Sequence, residues 1–83
     1  MIDYVLTKHA ETVIKERGIT PDWLERILRN PIRQMADTFD PELKHAMGPI
    51  AENDDRILRV IYNDNLKPLR ITAYFDRTLR NKL

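Results

Sequence analysis

The sequence predicts an α+β fold, a two-layer domain in which a helix hairpin packs on a mainly antiparallel sheet. The chain has 83 residues, the length of one domain. Two consecutive segments have helical periodicity, and short β-prone segments lie before and after them. Because no repeat, low-complexity tract or linker separates these segments, we expect one core over residues 1–83 and the element order β-α-α-β-β-β-β.

The N-terminal part of the chain supplies the first strand and both helices. Ile2 to Leu6 is short and β-prone, as a first strand would be. The first helix follows Thr7, a typical N-cap, and Gly18 lies where a helix usually ends. A second helix is predicted from Pro21 to Asn30, because proline is favoured at the first helical position and another proline follows the segment.

The rest of the chain predicts four strands. After the helices the periodicity changes to weak alternation, and turn-forming residues separate the β-prone segments. The third of the five strands is expected to be interrupted at Gly48-Pro49. The predicted segments are Ile32 to Thr38, Lys44 to Ala51, Arg56 to Tyr62, and Leu69 to Phe75.

Composition excludes several classes of site. The chain has no cysteine, so it has neither a disulfide-linked partner nor a thiolate metal site, and its two histidines alone cannot make a structural zinc site. We therefore expect no metal and no cofactor. No apolar run approaches the roughly 18 residues of a membrane span, and the N-terminus lacks the features of a signal peptide. These observations favour the cytoplasm.

Charge is distributed unevenly along the chain. The formal net charge is only +1, but residues 1–42 carry six Lys/Arg against eight Asp/Glu, whereas residues 56–83 carry seven against two. This gradient from −2 to +5 is typical of a basic face on an otherwise neutral domain.

The last two strands combine core residues with cationic and hydroxyl side chains. Because side chains alternate along a strand, Leu69, Ile71, Ala73 and Phe75 are predicted to face the core, and Arg70, Thr72, Tyr74 and Asp76 the opposite side. In the preceding strand the same rule places Arg59 on that second face. Its guanidinium suits a phosphate. The alternative is an arginine that lies over aliphatic surface or pairs with Asp76.

Several short motifs carry a resemblance to a known family. They are Lys8-His9-Ala10, Glu16-Arg17-Gly18-Ile19, Asn30-Pro31, Gly48-Pro49-Ile50, Arg56-Ile-Leu-Arg-Val60, and Thr72-Ala-Tyr-Phe-Asp-Arg77. Together they resemble the BrnT-type toxins and related small domains of the RelE/ParE-like toxin superfamily. The resemblance implies a RelE-like fold, a ribonuclease activity that inhibits translation, and a cognate antitoxin as partner.

Metal-independent cleavage of RNA requires particular side chains. A proton must leave a ribose 2′-hydroxyl, negative charge on the phosphorane must be stabilised, and the leaving oxygen must be protonated. The candidate catalytic residues are His9, Arg59, Tyr74 and Arg77. Each has a structural alternative: His9 caps or packs its helix, Tyr74 packs on the sheet, and Arg77 holds the C-terminal segment through Asp76.

A second group of residues is predicted to bind RNA, either the messenger alone or the messenger on the ribosome. These candidates are Arg17, Lys44, His45, Arg70, Thr72 and Arg80. His45 is also a candidate for a second proton-transfer group. Arg17 has the alternative of bonding carbonyls at its helix end.

Three functions remain open from the sequence. The first is the toxin of a type II toxin-antitoxin pair, acting as an endoribonuclease. The second is a non-catalytic protein-binding module of the same fold, and the third is a toxin relative with a target other than RNA.

Overall fold

The computed structural model describes residues 4–63, 65 and 68–79. Its elements follow the predicted order β-α-α-β-β-β-β, with two short 3₁₀ turns added. The helices are α1 (Lys8–Arg17) and α2 (Pro21–Arg29). The strands are β1 (Tyr4–Leu6), β2 (Arg33–Ala36), β3 (Leu43–Ile50), β4 (Arg56–Asn63) and β5 (Leu69–Phe75). The 3₁₀ turns are Ala51–Asn53 and Arg77–Leu79.

Both helices begin where the sequence predicts, α1 ends before Gly18 as predicted, and α2 ends at Arg29, one residue before the predicted Asn30, which caps it. The Thr7 side chain accepts a hydrogen bond from the Ala10 N–H at 3.0 Å, and the Thr20 side chain accepts one from the Trp23 N–H at 3.2 Å. Gly18 ends α1 with φ of 67°, a left-handed conformation that glycine adopts without steric cost. No helix among the residues that the structure describes is long and apolar enough to cross a membrane.

The five strands form one mixed sheet in the order β1-β5-β4-β3-β2. All pairs are antiparallel except β1 with β5, which are parallel. The parallel pair exists because the helix hairpin carries the chain from β1 across the sheet, and β5 then returns to lie beside β1. The α+β prediction of a mainly antiparallel sheet under two helices is confirmed.

The predicted interruption of the third strand is wrong, because β3 runs without a break through Gly48 and Pro49. The neighbouring strand β2 begins at Arg33, opposite Met47, and runs away from Pro49, so only β4 flanks β3 at Pro49. Ile57 pairs with Pro49 on β4, but its carbonyl points away from β3. It accepts a hydrogen bond from the Asp76 N–H at 2.8 Å. The Pro49 nitrogen therefore faces away from β4, where no ladder hydrogen bond is lost.

Gly48 lets the helix layer approach the sheet closely. A Cβ atom at this position would lie 2.9 Å from Cδ1 of Ile27 on α2. On the same face of the sheet, Leu58, Val60 and Ile71 are almost completely buried against the helices. Trp23 packs edge-on against Phe75 with 6.2 Å between ring centroids, which extends this core to the end of β5.

On the opposite face of the sheet no α-helix packs in the described part of the chain, and we call it the helix-free face. Met47 and Ile57 point to this side and are nevertheless buried, with exposures of 0% and 3%. The 3₁₀ turn at Arg77–Leu79 contacts β4, and part of this face is thereby covered. Part of the helix-free face is therefore packed, around Met47 and Ile57, although other positions on it are exposed.

Candidate functional site

The register of β4 and β5 places two candidate catalytic residues, Arg59 and Tyr74, side by side. Arg59 on β4 pairs directly with Tyr74 on β5, and Ile61 pairs with Thr72 one step further along. Leu58 and Val60 face the helices instead, as alternation requires. The predicted orientation of these strands is confirmed.

A chain of polar contacts crosses the helix-free face from the β2–β3 loop to the end of β5. Asp37 Oδ1 lies 2.7 Å from His45 Nε2, His45 Nδ1 lies 3.1 Å from a terminal nitrogen of Arg59, and the other terminal nitrogen lies 2.9 Å from Asp76 Oδ2. The side chains of Arg59 and Asp76 are only 16% and 11% exposed. We call this chain the polar network.

His45 acts as a bridge within the polar network. Arginine only donates hydrogen bonds, so the geometry assigns Nδ1 of His45 as the acceptor and Nε2 as the nitrogen whose N–H donates to Asp37. The residue is 8% exposed and both ring nitrogens are engaged. His45 therefore orients Arg59 and has no ring nitrogen directed toward a substrate.

Both carboxylates of the network are stabilised in their charged form. The backbone N–H of Asp40, then the His45 side chain and the N–H of Phe39, hold the pKa of Asp37 below its usual value. The hydroxyl and N–H of Thr78, together with the charge of Arg59, likewise lower the pKa of Asp76.

A groove of about 820 Å³ opens at the end of β5, next to Asp76. Arg17 from the last turn of α1, Arg56 from the start of β4, and Arg77 from the C-terminal turn all line it. Its apolar lining consists of Val13, Ile57 and Phe75, and Asn53 and Tyr74 are the remaining lining residues beside Asp76. We call it the arginine groove.

The three arginines of the groove carry charge that no described residue neutralises. Within the described part of the chain, none of their side chains forms a salt bridge or a hydrogen bond. Among the described lining residues the single carboxylate is that of Asp76, which already pairs with Arg59. The groove is therefore strongly cationic and suited to an anion.

The structure separates the other candidates. His9 is exposed on α1, which packs on the helix side of the sheet, so the whole sheet lies between it and Arg59. Lys44 pairs with Tyr62 and so also points to the helix side. Arg70 is exposed at the start of β5 and Thr72 is half-buried, both on the helix-free face. Arg80 lies outside the described residues.

Sequence reasoning missed three contributors to these two features. Asp37 comes from a loop eight residues before His45, and no local pattern marks such a contact. Arg56 and Asn53 flank the turn between β3 and β4, and strand alternation alone does not indicate a shared groove with α1. The signals available for Arg56 were the basic charge of the C-terminal part and its place in the motif Arg56-Ile-Leu-Arg-Val60, and neither marks it as a groove residue.

Comparison with known families gives one match. The model of a domain of unknown function, DUF4258, matches residues 6–75. No curated protein and no solved structure shows a significant similarity to the chain. The match spans every helix and strand except the first residues of β1, and the chain belongs to the DUF4258 family.

Proposed function

We propose that this domain is a toxin-type endoribonuclease that cleaves RNA without a metal ion and so inhibits translation. The observation that carries the proposal is the cross-strand pair of Arg59 and Tyr74 beside the arginine groove. It brings to one end of the sheet a fixed guanidinium, an exposed phenol and three arginines that have no salt-bridge partner among the described residues.

Each part of this site fits one requirement of 2′-hydroxyl attack on a phosphodiester. The groove arginines bind the phosphate, and Arg59 adds positive charge where the phosphorane forms. Tyr74 is 39% exposed, and its hydroxyl donates a proton to the leaving 5′-oxygen, while the proton of the attacking 2′-hydroxyl passes to water. The phenolate of Tyr74 then regains a proton from water. His45 and Asp76 hold Arg59 in a single orientation. His9 has no part in this arrangement.

The fold and partner follow from the resemblance to BrnT-type and RelE-like toxins. The helix hairpin on a mainly antiparallel sheet is compatible with the proposed RelE-like fold, and the Thr72–Arg77 motif that carries the resemblance ends at the groove. The proposal therefore includes a cognate antitoxin, a cytoplasmic location, and messenger RNA, free or on the ribosome, as substrate.

A second candidate is a non-catalytic binding module of the same fold. It is favoured by the state of His45, whose ring nitrogens are both engaged inside the domain. Neither histidine then offers a proton-transfer group at Arg59, and a binding role needs none.

The test compares wild type with Tyr74→Phe, which removes one hydroxyl from an exposed side chain. The matched control is Tyr62→Phe, the same chemical change on the helix side of β4. Purified proteins are incubated with single-stranded RNA in EDTA, and product ends are analysed. In parallel, each variant is expressed in a bacterium and translation is followed by amino-acid incorporation.

The proposal expects RNA fragments with 2′,3′-cyclic phosphate ends and rapid arrest of translation by wild type and Tyr62→Phe. Loss of the hydroxyl should slow cleavage by about 10²-fold or more, the usual contribution of a proton-transfer group. Binding of RNA without cleavage or arrest would replace the nuclease with the binding module. Arrest with intact RNA would indicate a different target.

A further inference from the structure

We infer that the arginine groove is a subsite for one nucleotide of single-stranded RNA, with its phosphate on the arginines and its base on Tyr74. This inference rests on the proposed function for its choice of RNA. It adds to the proposed function a defined position for one nucleotide and a preference for single strands over duplexes. It also gives binding roles to Arg17 and Arg56, which lie outside the pair of Arg59 and Tyr74.

Charge is the first argument. Three guanidiniums from different elements converge on one groove and, among the described residues, none is neutralised by a carboxylate. Like charges brought together repel one another, so the arrangement lowers stability until an anion binds. Guanidiniums present planar pairs of N–H donors that match phosphate oxygens.

The remaining lining suits a base. Val13, Ile57 and Phe75 give the groove an apolar portion, and Tyr74 lies at its border with a partly exposed ring. Aromatic side chains stack on bases of any sequence. A volume of about 820 Å³ is large enough for one nucleotide, since small-ligand sites range from about 300 to 1,000 Å³.

The same features argue for a single strand and against an acidic peptide. A base in a duplex has both faces stacked, so Tyr74 has no access to it. A peptide carboxylate would satisfy the arginines but would leave the apolar lining and the ring uncovered. We therefore assign the groove to a nucleotide.

The experiment measures binding of a fluorescein-labelled 2′-O-methyl RNA single strand by anisotropy over a range of salt concentrations. The probe lacks the 2′-hydroxyl nucleophile, so it is not cleaved and binding is separated from catalysis. The variants are Arg56→Gln, Arg77→Gln, the double variant, Tyr74→Ala and Tyr74→Phe. The control is Arg29→Gln, which removes the same charge from an exposed position outside the groove.

We expect each groove arginine variant to weaken binding about tenfold and to reduce the salt slope by about 0.7, the value for one phosphate contact with a single strand. Tyr74→Ala should also weaken binding about tenfold, whereas Tyr74→Phe keeps the stacking ring. Arg29→Gln should bind as wild type does. A duplex of the same sequence should compete poorly.

Three results would overturn the inference: equal affinity of the arginine variants and the control, equal competition by duplex RNA, or equal competition by a poly-glutamate peptide. None of them depends on cleavage. A wild-type protein that binds the probe through the groove but leaves ordinary RNA intact would refute the nuclease while supporting the subsite. Cleavage of ordinary RNA at the same rate by wild type and the arginine variants would support the nuclease and refute the subsite.

Discussion

Replacing Arg59 with alanine should strongly destabilise the domain. Although Arg59 lies on the face without helices, its side chain is only 16% exposed and contacts both His45 and Asp76. Alanine would leave the Asp76 carboxylate without its cation and the His45 Nδ1 without its donor. From the sequence alone, we expect an arginine on this face to be replaceable without loss of stability. The contacts that Arg59 makes in the polar network contradict that expectation.

The size of the effect follows from the contacts that are lost. A hydrogen bond to a charged partner contributes about 1.5–3 kcal/mol, and one to a neutral partner about 1 kcal/mol. Thr78 still donates to Asp76 in the variant, and water can reach the site, so we expect a total loss of about 2–4 kcal/mol. A domain of 83 residues has a total stability of about 4–12 kcal/mol.

The assay is urea unfolding followed by circular dichroism, with a thermal melt of the same samples. We expect the melting temperature to fall by at least about 8 °C, at 4–8 °C per kcal/mol. The matched control is Arg33→Ala, an exposed arginine on the same face that forms no salt bridge with the described residues. A double-mutant cycle with Asp76→Ala isolates the ion pair.

The reasoning is refuted if Arg59→Ala unfolds within about 0.5 kcal/mol of the control, the usual range of a surface substitution. Equally, a coupling energy near zero in the cycle would show that the 2.9 Å pair contributes nothing. A large loss has a consequence for tests of the proposed function: a weaker effect of Arg59→Ala on growth would report unfolding as much as lost chemistry. Tyr74→Phe is the better functional probe.

Three further predictions concern the core, a helix start and pH. Leu58→Ala should cost about 2–5 kcal/mol in urea unfolding, because Leu58 is fully buried between sheet and helices; a cost below 1 kcal/mol would contradict the packing. Thr20→Ala should cost about 1 kcal/mol by removing the bond to Trp23 N–H, and Thr20→Asn should restore most of it. The pKa of Asp76 is lower when folded than its ordinary 3.8, so its contribution to stability is present above that pH and is lost as pH falls below it. The free energy of unfolding should therefore change less between pH 5 and pH 2 in Asp76→Asn than in wild type. Identical pH profiles of the two proteins would refute this role of Asp76.

Local patterns were sufficient for most of the fold. Thr7, Gly18, Thr20 and Pro21 mark helix ends through hydrogen bonds and backbone angles that involve only neighbouring residues. Alternation in β4 and β5 was equally local, and it placed Arg59 and Tyr74 on one face before any tertiary information. The break predicted at Gly48-Pro49 is wrong because the pairing of β2 with β3 does not extend past Met47, so Pro49 has no β2 partner, which no local pattern indicates.

The sequence by itself determined the α+β class, the element order, the core of the last two strands and the face on which Arg59 and Tyr74 lie. Only the tertiary structure decided what surrounds them. The β2–β3 loop brings Asp37 to His45, α1 brings Arg17 to Arg56 and Arg77, and the sheet separates His9 from Arg59. These contacts join residues far apart in the chain, so they depend on how the helix layer and the strands pack and not on any local periodicity.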